Sequence, residues 1–164
     1  MIRNVQQLHV SEVKGEGAAK KVDHIIEDNH YLESVNSVIT KHRYLITVPL
    51  RGVVGAVAWS KPVAREEDQE NTLELHRFWT SDVLPKNSES YVLGYMMRDL
   101  EQYDYDRLIS YTSTGQGHEG TIYKATNWSQ KNVTRDYTDS SGWETRDGRE
   151  NRDGSRKIKF EMII

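Results

Sequence analysis

Apolar residues recur along the chain with two different periods, and these periods predict an alternation of helices and strands. Helical spacing marks residues 17–29 and again about 88–100. Strand-like alternation or short apolar runs mark residues 43–50, 53–59, 72–80, 107–111 and 156–164. A further short helix is expected at 121–128. The predicted order is helix, three strands, helix, strand, helix, strand.

This order favours an α/β (α+β) fold with a mixed, mostly antiparallel central sheet and flanking helices. The length of 164 residues suits one domain that buries its own core. We therefore expect a single domain over 1–164, with a polar hairpin or tail at about 129–164. Gly55, inside a predicted strand, indicates a bulge or a close approach of backbone.

The strand at 72–80 places a cation on an apolar face. Simple alternation puts Arg77 on the same side as Leu75 and Trp79. An arginine in such surroundings needs an anionic partner, and a bidentate phosphate or carboxylate would suit it. An internal salt bridge to Glu89 would satisfy it equally well.

The turn that follows this strand ends in Asn87, Ser88 and Ser90, at the predicted start of a helix. A helix start offers unpaired N–H groups and the positive end of the helix dipole, a geometry that suits phosphate or pyrophosphate. These side chains could add donors to such a site. The same residues are also ordinary helix caps, so capping alone is the alternative explanation.

A glycine-rich turn at 115–123 follows the strand at 107–111. Its glycines allow backbone to approach a ligand closely, His118 can act as base, acid or ligand, and Tyr123 can donate a proton. A flexible turn with a core tyrosine is the alternative. Separately, His30 and Tyr31 are adjacent groups that could ligate a metal with help from elsewhere, although the helix dipole alone also favours a histidine there.

Composition removes several classes of site. The chain has no cysteine, which excludes disulfides, thiolate metal sites and a cysteine nucleophile. With 22 basic and 25 acidic residues the net charge is −3, so a chain-wide basic field is absent.

The tail carries a local basic patch with interspersed aromatic rings, which suits DNA; an exposed hairpin is the alternative. The patch consists of Arg135, Arg146, Arg149, Arg152, Arg156, Lys157 and Lys159, near Tyr137 and Trp143. No apolar run could span a bilayer and the start lacks an apolar signal core, so we expect a cytoplasmic protein without a membrane partner.

Three blocks of sequence carry a family resemblance: NHYL at 29–32, LHRFWTSDVLPKNSES at 75–90 and ISYTSTGQGHEGTIYKATNW at 109–128. TIYKATNW is similar to the last helix of the GNAT N-acyltransferase fold. Together the blocks resemble the phage Mom-type DNA modification proteins, a divergent branch of that fold. The block at 109–128 is the most specific, and the tail is not matched.

The resemblance implies an activity and a set of site residues. It implies transfer of a carbamoylmethyl or acyl-type group to N6 of adenine in double-stranded DNA, an anti-restriction modification, with an acyl-CoA-type donor and iron. It assigns Arg77, Asn87, Ser88 and Ser90 to the donor cleft. It makes Tyr123 the general acid, with Arg77 and His118 as further catalytic residues, and places the metal at His30 and Tyr31. A phage protein of this kind would act in the host cytoplasm, and a homodimer is an open expectation.

The chain departs from the resembled patterns at two points. Pro85-Lys-Asn-Ser-Glu-Ser-Tyr stands where GNAT proteins carry a Gln/Arg-x-x-Gly-x-Gly/Ala pyrophosphate loop. Ser110-Tyr111-Thr112-Ser113 stands where Mom-like sequences favour Ser-Tyr-Ala-Asp. Two other functions therefore stay open: an acetyl-CoA-dependent N-acetyltransferase of a small amine or peptide, and an inactive DNA-binding accessory protein.

Overall fold

The computed structural model describes residues 2, 4–30, 38–114, 120–133 and 156–164. After a 3-10 turn at Val5–Gln7, these residues form the following elements: β1 His9–Glu12, α1 Glu16–Asn29, β2 Thr40–Val48, β3 Gly52–Ser60, β4 Thr72–Thr80, α2 Ser88–Leu100, β5 Arg107–Ser113, α3 Thr121–Ala125, β6 Ser129–Val133 and β7 Lys157–Ile163. None of the described helices has the length and apolar character needed to cross a bilayer.

The strands form one sheet in the order β1-β2-β3-β4-β5-β7-β6. All neighbours are antiparallel except β4 and β5, which run parallel. The expected mixed, mostly antiparallel sheet with flanking helices is therefore confirmed. The sequence pattern missed β1 and β6, because β1 has only four residues and every residue of β6 is exposed.

Helices cover both faces of the sheet. Helix α2 and the short α3 pack on one face, over the larger core that includes Trp59, Leu73, Met96 and Phe160. Helix α1 packs on the other face, where Val22 and Ile26 meet alanines of β3 and the ring of Trp79 in a smaller apolar cluster. Each face of the sheet therefore carries its own set of β4 side chains, one set under α2 and α3 and the other under α1.

A β-bulge in β4 changes which of its side chains share a face. Leu75 pairs with Trp59 of β3, but Arg77 pairs with Ala58, so His76 is the extra residue. Trp59 belongs to the α2-side core and Ala58 to the α1-side cluster. The prediction that Arg77 shares a face with Leu75 was therefore wrong. Strict alternation fails because the bulge adds one residue to β4.

Two glycines mark places where backbone and side chains are in close contact. A Cβ atom on Gly55 would lie 2.8 Å from Cδ1 of Ile46 and 2.9 Å from the carbonyl oxygen of Trp79, which confirms the predicted close approach. Gly120 has φ +70° directly before α3, and a Cβ atom there would lie 2.2 Å from the ring of Phe160. Only glycine fits at Gly120, and this contact sets how α3 sits on the sheet.

Candidate functional site

A gap opens between β4 and β5 where these two parallel strands stop pairing. Their register runs only over Thr72–Glu74 on β4 and Arg107–Ile109 on β5. Both strands continue, to Thr80 and Ser113 respectively, without pairing with each other. We call this gap the β4–β5 opening; it is bordered by residues 75–80 and 110–113. Separated parallel strands leave backbone polar groups on both edges that a ligand can meet.

The narrow end of the β4–β5 opening holds a chain of three polar groups. The hydroxyl of Ser110 lies 3.2 Å from the carbonyl oxygen of Leu75 and 2.7 Å from the phenolic oxygen of Tyr123. The Tyr123 ring is held by stacking on Phe160, with ring centroids 4.9 Å apart. Ser110 has one proton, so it donates either to Leu75 or to Tyr123. In the second arrangement the phenolic oxygen of Tyr123 accepts the Ser110 proton, so the phenolic proton is not used in this hydrogen bond.

On the face that carries α1, polar side chains of both strands lie at the opening or at the paired end beside it. Glu74 is buried, and its Oε2 accepts a hydrogen bond of 2.8 Å from the Val63 amide. Its other oxygen lies 4.0 Å from Nδ1 of His76. Burial raises the pKa of Tyr111, on β5, to about 12, and the nearby carboxylates of Glu67 and Glu74 act in the same direction. The Tyr111 phenol therefore stays protonated at neutral pH and can donate a hydrogen bond.

Each strand that borders the opening carries a buried polar atom with no hydrogen-bond partner among the described residues. One is Nε2 of His76 on β4, and the other is Oγ1 of Thr112 on β5. Buried polar groups in folded proteins are nearly always paired, so such atoms call for an explanation. Their positions on the two strands that border the opening suggest a polar ligand as the missing partner.

The start of α2 uses its side-chain donors internally. Ser88 is buried and its hydroxyl donates to the Pro85 carbonyl at 2.6 Å, while the Ser90 hydroxyl donates to the Asn87 carbonyl at 3.1 Å. Asn87 caps the helix in the left-handed region, with φ 70° and no side-chain capping bond. The Ser88 amide also donates to the Pro85 carbonyl, at 3.2 Å, so the donors that this region offers to an anion are the backbone N–H groups that follow it in the first turn.

Several charged side chains beside the opening have partners within the protein. Arg107 contacts Glu67 at 3.0 Å and Glu161 at 3.3 Å, and Lys159 also contacts Glu67. Arg77 donates to the His76 carbonyl at 2.8 Å, and Glu89 accepts from Thr80. The cations of the predicted DNA-binding patch from Arg135 to Arg152 lie outside the described residues.

The predicted metal site is only partly within the described residues. His30 follows α1 and its amide donates to the Ile26 carbonyl at 2.7 Å, whereas Tyr31 and His118 lie outside the described residues. Over the part of the chain that the structure describes, no group of three or more His, Cys, Asp or Glu side chains could hold a metal ion. The expected iron has no support in this donor set, and we derive no step through it.

The sequence interpretation assigned no site role to five polar residues at the opening or beside its paired end: Glu74, His76, Ser110, Tyr111 and Thr112. The glutamate and histidine were visible as polar residues in an alternating strand, but alternation alone gave them no special role. Ser110, Tyr111 and Thr112 were noted only as part of a departure from the Mom-like pattern. These residues share a location beside the point where β4 separates from β5, and no local sequence pattern predicts that separation.

Solved structures share this fold. An IAA acetyltransferase from Bacillus cereus ATCC 14579 matches with a TM-score of 0.64 at 12% identity, covering 96% of this chain and 99% of the other. A GNAT family acetyltransferase from Elizabethkingia anophelis with acetyl-CoA bound matches with a TM-score of 0.60 at 12% identity and the same coverage. The ribosomal-protein-S18-alanine N-acetyltransferase from Escherichia coli matches with a TM-score of 0.63 at 12% identity, covering 95% and 94%. At such identities the likeness establishes the GNAT fold alone.

Sequence comparison reaches further than the fold. The methylcarbamoylase Mom of Escherichia phage Mu is 27% identical over 114 residues, which are 63% of this chain and 46% of that protein. The chain thus spans about half the length of this curated relative. The model of the Mom protein family matches residues 7–162, across all three blocks that carried the resemblance. The chain therefore belongs to the Mom protein family.

Proposed function

We propose that this protein modifies DNA by transferring a carbamoylmethyl or acyl-type group from a CoA-type donor to the N6 amine of adenine. The observation that carries the proposal is the position of the Tyr123 hydroxyl at the narrow end of the β4–β5 opening, 2.7 Å from Ser110, in a chain of the Mom family. The name of the phage Mu relative supplies the kind of group, and the acetyl-CoA-bound neighbour supplies the kind of donor. The choice of adenine N6 as the acceptor rests on the resemblance to the Mom-type DNA modification proteins.

The amine of adenine is a weak nucleophile because its lone pair is delocalised into the ring. The enzyme must therefore hold the amine against the donor and handle two protons, one leaving the amine and one reaching the leaving group. A base inside a duplex cannot enter a gap between strands, so we expect the adenine to be flipped out of the stack.

Tyr123 is proposed as the acid that protonates the leaving group. When the Ser110 hydroxyl donates to the phenolic oxygen, the Tyr123 proton can point into the opening, and the same serine stabilises the oxygen once the proton has left. The donor's anionic groups are proposed to meet Arg77 and the first-turn amides of α2, near Asn87 and Ser88. His118 and the tail cations are proposed as further contacts to substrate and DNA.

Mass spectrometry of deoxynucleosides from cells that express the protein tests this function, beside an empty-vector control. We expect a new modified deoxyadenosine, strongly reduced in Tyr123→Phe. Tyr95→Phe, on the exposed side of α2, removes the same hydroxyl away from the opening and should leave the modification unchanged. A modification on another base would reject adenine as the target. Full modification by Tyr123→Phe would remove Tyr123 from the chemistry.

An N-acetyltransferase acting on a small amine or peptide is the competing function, because the fold is that of acetyltransferases. Folded, abundant protein that yields no new nucleoside, but acetylates a polyamine or peptide with acetyl-CoA, would favour it. DNA binding with steep salt dependence and neither activity would instead favour an accessory DNA-binding protein.

A further inference from the structure

The bulge in β4 gives the opening a histidine that neither the pattern nor the family resemblance singled out. His76 is the inserted residue, and its side chain is only 9% exposed. Its Nε2 atom is buried without a hydrogen-bond partner among the described residues. Folding has removed this nitrogen from water without a replacement partner, an arrangement that becomes favourable once a ligand supplies one.

The neighbouring carboxylate favours one tautomer of the imidazole. Glu74 has one oxygen on the Val63 amide and the other 4.0 Å from Nδ1 of His76. A carboxylate on this side favours the tautomer that carries its proton on Nδ1. The lone pair of Nε2 is then the group left for a ligand's N–H. Glu74 thus acts as a positioning residue.

Burial is the main reason why the neutral form of the His76 imidazole is favoured. Burial lowers the pKa of His76, and the cations Arg77 on β4 and Lys157 on β7 act in the same direction, while Glu74 opposes them. A neutral imidazole at physiological pH can accept a proton, which a charged one cannot.

We propose, on the basis of the function proposed above, that His76 is the general base of this reaction and accepts the proton that leaves the nucleophilic amine at the β4–β5 opening. For a thioester donor, the bond from the amine nitrogen to the acyl carbon forms as the bond from that carbon to sulfur breaks. The amine proton goes to Nε2 of His76, and the Tyr123 proton goes to the thiolate sulfur. Solvent then takes the proton from His76 and returns one to Tyr123.

The experiment compares His76→Gln with His24→Gln in cells, by the initial rate at which modified deoxyadenosine accumulates after induction. His24 is a matched control because it also has a nearby carboxylate, Glu27 at 3.6 Å, but is 76% exposed on α1. We expect a loss of about 100-fold for His76→Gln, typical of removing a general base. His24→Gln should keep the wild-type rate. Binding of purified variants to a fluorescent DNA duplex should stay within about twofold of wild type.

A pH profile separates a base from a structural residue. Clarified lysate of the same cells supplies the donor, and added plasmid DNA is the substrate. The wild-type rate should fall as the pH drops below the lowered pKa of His76, and this limb should be absent in His76→Gln. Imidazole added to His76→Ala should restore activity in proportion to its unprotonated form.

The outcomes distinguish this role from the function on which it rests. Wild-type protein that modifies no base overturns the proposed function, and the role of His76 with it. Wild-type modification together with an undiminished His76→Gln overturns the role of His76 alone. A loss in His118→Gln that carries the acidic limb of the pH profile, with that limb retained in His76→Gln, would assign the proton to His118 instead.

Discussion

Two buried histidines on the same sheet, each beside a glutamate, show how differently two of its regions are built. His42 on β2 has both ring nitrogens bonded, to Glu12 at 2.7 Å and to the Tyr105 hydroxyl at 2.9 Å. His76 on β4 lies 4.0 Å from Glu74, and its Nε2 has no partner among the described residues. Burial is nearly equal, with side chains 8% and 9% exposed.

The network around His42 is closed. The second oxygen of Glu12 accepts from Tyr103 at 2.6 Å, and the ring of Tyr103 packs on His42 with centroids 4.5 Å apart. A closed network of this kind supports the fold and has little left to offer a ligand. At the β4–β5 opening, a buried polar atom on each strand has no hydrogen-bond partner in the described part of the chain and can bond to a ligand. The comparison teaches that satisfaction of hydrogen bonds, rather than residue type or burial, separates the two histidines.

The substitution with the largest expected effect tests whether α3, which carries Tyr123, has a rigid position on the sheet. Gly120→Ala would force a Cβ atom to 2.2 Å from the Phe160 ring at φ +70°. We expect a loss of about 3 kcal/mol or more in the free energy of unfolding, from strain and overpacking. Gly17→Ala, in open space on α1, should instead stabilise by up to about 1 kcal/mol. Urea unfolding followed by circular dichroism measures both, and equal effects would contradict a rigid seat for α3.

Replacing each histidine by leucine breaks the comparison directly. His42→Leu leaves a carboxylate oxygen and a phenol unpaired, so we expect a loss of about 3 kcal/mol in the free energy of unfolding. His76→Leu removes an unpaired nitrogen and should change stability by about 1 kcal/mol or less. The same urea experiment decides, and the comparison fails if both variants lose the same stability.

Two hydroxyl groups on one face of β5 show the same contrast between a hydrogen-bonded group and an unpaired one, with a smaller expected effect. Ser110→Ala deprives both the Leu75 carbonyl and Tyr123 of a partner and should cost about 1–2 kcal/mol. Thr112→Val replaces an unpaired hydroxyl by a methyl group of similar shape, so stability should hold or rise by up to about 1 kcal/mol. Thermal unfolding of the two variants checks this, and a clear loss in Thr112→Val would reveal a bond that the folded protein needs.

The smallest effect is a pH dependence with two separate windows. Burial raises the pKa of Glu12, but hydrogen bonds from Tyr103 and His42 outweigh it, and the pKa lies below its ordinary value of 4.5. Its contribution is present above pH 4.5 and is lost as the pH falls through the lowered pKa. Burial lowers the pKa of His76 below 6.5, so the unfolded chain binds a proton first and stability declines as the pH falls below 6.5.

Unfolding free energies measured from pH 2 to 8 separate the two groups. Glu12→Gln should flatten only the acidic window, and His76→Gln only the window just below pH 6.5. A wild-type stability that rises as the pH falls from 7 to 6 would contradict the assignment of His76 as a buried neutral imidazole.

Much of the frame follows from local patterns. Alternation and helical spacing predicted five strands and all three described helices, because each face of an element must choose core or solvent. The position of Gly55 inside a predicted strand indicated a close approach of backbone, and the structure has that close contact. The blocks at 75–90 and 109–128 carried the family, which the match over residues 7–162 confirms. Tyr123 was predicted as a site residue from its block alone, and its role stays a prediction.

The sequence by itself thus determined the element types, most of their order, the absence of cysteine chemistry and the family. Only the tertiary structure decided which face Arg77 and His76 occupy, since a bulge depends on how β4 pairs with β3. It also decided where β4 leaves β5, and hence which polar atoms stay unpaired. These properties arise from register and from contacts between residues distant in the chain, such as Ser110 with Leu75, which local patterns do not encode.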